Sequence, residues 1–276
     1  MSWERLGAIA PNQLTGAREQ AHAAVQLLAA VGETHAEHRA DTSHTATVYR
    51  PDLRALAIAA PLAGGLQAVL DLAELRVDVL GPAGTVGERT LDGRTLAEAA
   101  EWLRDTLAAG SDGQLAGALR FPTYDLEPHP VREGTPFEAP RDGLAELDRW
   151  FANARLALAD YAPDEAILCW PHHFDLAILQ SVAPLPEGGT KTVGIGLSPG
   201  DGAIPEPYWY VNHWPVRGVG DLSFGSLPAG SWHTDGFIAA TLRASELVEA
   251  PSADSQSSTL HAFLEAAIRH SKEFLR

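Results

Sequence analysis

A chain of 276 residues is long enough to bury a sizeable core, either as one large β-containing domain or as two packed lobes. Hydrophobic residues at 45% and charged residues at 20% match ordinary globular usage, which excludes a disordered or membrane-embedded class. A net charge of −16, from 36 acidic against 20 basic residues with no Lys/Arg run, repels phosphate backbones and anionic bilayers, so neither nucleic acid nor membrane is an expected partner.

The opening residues, with Glu4 and Arg5, lack the apolar core of a signal peptide, and the single cysteine, Cys169, cannot form an internal disulfide. Both features predict a soluble protein of a reducing, cytoplasmic setting. Thr15 starts a helix to about Val31, with Ala17, Ala21, Ala24, Leu28 and Val31 on one face. The polar stretch holding His35, Glu37, His38, Asp41 and His44 reads as a solvated loop, with His44 the outlying candidate ligand because it leads into a strand. Leu56-Ile58-Ala60-Leu62 and Leu66-Ala68-Leu70-Leu72 alternate around Ala63-Gly64-Gly65, which predicts two antiparallel strands, and Val77 and Val79 extend the pattern to a Gly81-Pro82 turn.

Thr95 and Glu98 form a capping box that starts a helix to about Leu107. Five prolines between 121 and 141 predict an irregular crossing between lobes 1–120 and 142–276, within a domain spanning 1–276. After Asp142, the residues Leu144, Leu147, Phe151, Ala154, Leu158 and Tyr161 form the apolar stripe of an amphipathic helix. Strands are expected over 166–170, 174–182, 192–197, 208–213 and 237–242, and a last helix over 258–275. The whole predicts an α+β fold with an antiparallel core, barrel-like or a sandwich, flanked by four helices. In the apolar run Ala166–Trp170, Cys169 reads as a buried structural thiol.

Four polar clusters lie between 170 and 235: Trp170-Pro171-His172-His173-Phe174-Asp175, Ser198-Pro199-Gly200-Asp201, Glu206-Pro207-Tyr208-Trp209-Tyr210 and Trp232-His233-Thr234-Asp235. They resemble an uncharacterised bacterial family with these motifs; the resemblance spans about residues 165 to 245 and implies one structural unit, without an activity to transfer. Aromatic residues beside fixed polar groups suggest a small-molecule pocket, with Trp170, Glu206, Tyr208, Tyr210, Trp232 and Arg243 as substrate-binding candidates.

On a strand, His173 and Asp175 would face the same side, and His233 could complete a two-histidine, one-carboxylate set for a divalent ion such as iron or zinc. His172, Asp201 and His44 are reserve or supporting ligands. This His-x-Asp…His order, with Arg243-Ala244-Ser245 downstream, is similar to that of the iron- and 2-oxoglutarate-dependent oxygenases, which ranks the ligands and leaves the activity unassigned. Three readings stay open at this point: a metal-dependent enzyme acting on a small organic substrate, a metal-free small-ligand or interaction protein, and a structural hydrogen-bond network. The sequence is silent on oligomeric state.

Overall fold

The computed structural model describes residues 2–123, 125–162, 164–186, 188–216 and 225–276. In chain order these residues form α1 (Thr15–His35), β1 (Thr47–Arg50), β2 (Ala55–Ile58), β3 (Gln67–Asp71), β4 (Arg76–Gly81), β5 (Gly84–Thr90), α2 (Leu96–Gly110) and α3 (Arg141–Ala159). There follow β6 (Leu168–Trp170), β7 (Asp175–Pro184), β8 (Thr190–Ser198), β9 (Tyr208–Trp214), β10 (Ser231–His233), β11 (Ala239–Arg243), α4 (Ala244–Leu247) and α5 (Ala253–Phe274). The chain is mixed α+β and dominated by antiparallel strands. It divides into two compact units: unit 1 comprises 1–13, 149–167 and 175–276, and unit 2 comprises 14–148 and 168–174.

In unit 2 six strands run in the order β6-β1-β2-β3-β4-β5, each pair antiparallel. The strand set is open rather than the closed barrel the alternating pattern allowed. α1 is buried nearly all round from Ala21 to Gly32, with Leu27 and Leu28 fully enclosed. Truncating either leucine to alanine would cost roughly 2–5 kcal/mol. Near its end Gly32 leaves no room for a side chain without a shift, because a Cβ there would meet the His44 carbonyl oxygen at 2.2 Å. That contact seats the 43–45 turn against the helix.

The Thr95 capping box forms as expected and starts α2. Tyr49 and Asp148 are both buried; the Tyr49 hydroxyl donates to the carboxylate at 2.6 Å and Arg54 approaches the other oxygen. Burial raises the Asp148 carboxyl above its usual range, against the pull of Tyr49 and Arg54.

Unit 1 holds five antiparallel strands in the order β7-β8-β9-β11-β10. Register sorts their side chains into two faces. Ile178, Val193, Ile195, Trp209, Val211 and Leu242 point to one face and are buried, and α5 packs against these strands. Asp175, Ala177, Gly196, Tyr208, Tyr210 and Thr241 point to the other. α5 begins with a capping box at Ser252 and buries Leu260, Phe263, Leu264, Ala267 and Ile268, the expected stripe. Beyond the expected elements the structure adds β5, β10 and the four-residue α4. Among the described residues no helix is long and apolar enough to cross a membrane.

Candidate functional site

Unit 1 gathers several of the polar residues singled out by the sequence at one end of its sheet. Ser198, Tyr208 and Arg243 are register partners across β8, β9 and β11. The Tyr208 hydroxyl donates to Asp201 at 2.6 Å, and the Tyr210 hydroxyl donates to the buried carboxylate of Asp175. Tyr210 can reach Asp175 on β7 because the strand between carries Gly196, where a Cβ would strike the Tyr210 hydroxyl at 2.6 Å. A side chain on β8 at that point would push the phenol off the sheet.

Asp201 is held by its own loop, accepting from the Ala203 and Ile204 amides at 2.8 Å each. Burial, followed by the Asp201 hydrogen bond, pushes the Tyr208 phenol well above its ordinary range. Tyr208 is therefore a hydrogen-bond donor at neutral pH and no general base. Tyr210 and Asp201 are half-buried and Arg243 is exposed, so the rim of this cluster meets solvent.

The remaining candidates lie elsewhere. Glu206 accepts from the Ser245 amide at 2.7 Å and its hydroxyl at 3.0 Å, which caps the start of α4 and accounts for Arg243-Ala244-Ser245 structurally. Trp232 belongs to the opposite face from Tyr208 and Tyr210; it packs on Phe274 and His270, and its indole donates to the Gly225 carbonyl at 2.8 Å. Trp209 shares that face and is fully buried.

The metal set expected from alternation does not assemble within unit 1. Asp175 begins β7 and His233 ends β10, four strands away, about 19 Å at ordinary strand spacing. His233 Nε2 lies 2.6 Å from the Asp235 carbonyl, and its ring packs at a tilt against Phe237. His173 is not on a strand, because Pro171–Phe174 form a turn in which the Trp170 carbonyl accepts from the His173 and Phe174 amides at 3.1 and 2.7 Å. Period-two alternation therefore does not carry from His173 to Asp175. Phe174 adopts a left-handed backbone at φ +57°, uncommon for a bulky residue.

In unit 2 this turn docks on α1. The Pro171 carbonyl accepts from His22 Nε2 at 2.8 Å and Gln26 Nε2 at 2.7 Å, and the His22 ring stacks on Phe174. Burial holds His22 down at about 4, and burial with the neighbouring His173 does the same to His172, beside Trp170. Sequence reasoning did not find His22 and Gln26. Their signal was two polar residues one helical turn apart on the otherwise Ala/Leu/Val stretch 21–31 of α1.

Among the described residues, the group whose donor atoms lie close enough to hold a metal ion is Glu33, His38 and His44. His44 is buried, with Nε2 3.1 Å from Glu33 Oε2, and its ring lies 4.4 Å from that of His38. The His44 Nδ1, however, accepts from the Arg39 amide at 3.2 Å. That places the ring proton on Nε2, directed at Glu33, and leaves Nε2 without the lone pair a metal requires. The arrangement works as a hydrogen-bonded Glu-His pair; cation binding would require Nδ1 to give up the Arg39 amide.

No known protein family, curated protein or solved structure matches the chain.

Proposed function

We propose that the chain binds a small organic molecule bearing amine or hydroxyl donors, at the tyrosine–carboxylate row of unit 1 and without a metal held by His173, Asp175 and His233. The observation that supports this is the pairing of two phenols with two carboxylates, Tyr210 with Asp175 and Tyr208 with Asp201, beside the exposed Arg243. Phenols on β9, with Asp175 on β7 and Asp201 fixed by its own loop, present acceptors and donors in a set geometry, which suits orientation of a polar ligand better than bond-making. Asp175, Tyr208 and Tyr210 accept from the ligand's donors, Arg243 donates to a hydroxyl oxygen, and Asp201 holds Tyr208 in place.

Saturation-transfer NMR with a panel of amines and polyols tests the reading. A hit should weaken at least about tenfold in Asp175→Asn and Tyr210→Phe, the loss of one charge-assisted hydrogen bond. Equal binding to both variants, or no hit across the panel, would leave this row with a structural role alone.

A further inference from the structure

Unit 1 also contains an open cavity of about 390 Å³ where α5 and β7 meet the segment after α3, bordered by Tyr161, Gln180, Glu265, Arg269, Lys272 and Arg276. From this cavity we infer a second, anion-binding site for a small organic phosphomonoester.

The charge argument comes first. Among the lining residues three cations stand against the one carboxylate of Glu265, and with Asp160 beside Tyr161 the local balance is still positive, in a chain whose net charge is −16. Among the described residues, the side chains of Arg269, Lys272 and Arg276 make no ion pair or hydrogen bond. Like charges gathered in this way repel one another unless an anion sits between them.

Helix-end electrostatics account for Lys272, in the last turn of α5, but not for its convergence with Arg269 and Arg276 on one cavity. Cations near a C-terminus complement its exposed carbonyls. Here that role is shared by Lys191 of β8, whose Nζ donates to the Leu275 carbonyl at 2.6 Å. Arg269 and Arg276 are left to face the cavity.

The uncharged lining narrows the ligand. Gln180 is fixed by donation of its amide nitrogen to the Tyr161 carbonyl at 2.6 Å. Burial, then Glu265 and Asp160, push the Tyr161 phenol up to about 12, so it stays protonated and can donate to an anion. A phosphomonoester carries about −1.5 to −2 at neutral pH, opposite in sign to the local charge, and guanidinium forks suit its oxygens. The volume falls in the range of roughly 300–1,000 Å³ usual for small-molecule clefts, larger than an inorganic ion needs.

Isothermal titration at constant ionic strength with glycerol 3-phosphate, inorganic phosphate, sulfate and glycerol tests the assignment. Glycerol 3-phosphate should bind, with glycerol silent and inorganic phosphate weaker. The double variant Arg269→Gln/Lys272→Gln, altered at an exposed and a half-buried position, should keep its circular dichroism and bind at least about tenfold more weakly. Asp175→Asn should bind as the native chain does, which separates this site from the tyrosine–carboxylate row. No binding of glycerol 3-phosphate, unchanged affinity in the double variant, or equal affinity for sulfate would each overturn the proposal.

Discussion

His22 offers a direct test of how the histidine turn is held. Its Nε2 donates to the Pro171 carbonyl and its ring lies parallel to Phe174, an arrangement made by the neutral imidazole. Burial is the main cause that lowers it from 6.5 to about 4; Arg18, Arg132 and His173 add to the effect, and the Pro171 bond opposes it. The unfolded chain therefore takes up the proton first. Stability from His22 is complete above pH 6.5 and is lost as pH falls toward 4, the reverse of a histidine paired with a carboxylate. The gap is about 3 kcal/mol in full, and the share falling between pH 7 and pH 5 is at most about 2 kcal/mol, because the half-buried ring keeps an edge toward solvent.

The measurement is a pair of urea unfolding curves, at pH 7 and pH 5, for the native chain and for His22→Gln. The variant keeps a donor for Pro171 and removes the titration. Most carboxylates remain ionised in this window, so the difference between the two proteins isolates His22. We expect the native chain to lose about 1–2 kcal/mol more than the variant. An equal loss in both would mean that His22 is not held neutral by its burial, and the docking of the turn on α1 would have to be reconsidered.

Gly32→Ala should destabilise unit 2 by about 1–3 kcal/mol, read from the urea midpoint, because the added methyl meets the His44 carbonyl at 2.2 Å; an unchanged midpoint would contradict that close approach. Tyr49→Phe removes the donor to Asp148 and should cost about 1–3 kcal/mol, with near-neutrality showing that water replaces the hydroxyl. Zinc at about 100 times a dissociation constant would stabilise a binding protein by about 2.7 kcal/mol; with the His44 ring proton on Nε2, we expect no such rise. A rise abolished by His44→Gln would refute the tautomer.

The element types were legible in the sequence because they follow from neighbours along the chain. The stripe of α3, the Thr95 capping box and the alternation of β2 and β3 need only 3.6- and 2-residue periods and side chains that satisfy nearby amides. Burial of Cys169 was readable for the same reason, from Leu168 and Trp170 on either side. The strands β5 and β10 escaped notice: β5 is exposed through most of its length and β10 has three residues, so neither shows an alternating apolar pattern.

The candidate sites depended on register and on distant partners, which local periodicity does not encode. Whether Tyr210 meets Asp175 rests on Gly196 standing between them on β8, and that placement exists only once three strands are aligned. His173 read as a strand residue until the turn at Pro171–Phe174 formed against α1, where its carbonyl finds His22 at a separation of 149 residues. The sequence by itself determined most of the helices and strands and which side chains are polar within them; only tertiary structure decided which of those polar groups share a face, because one residue of register moves a side chain to the opposite side of a sheet.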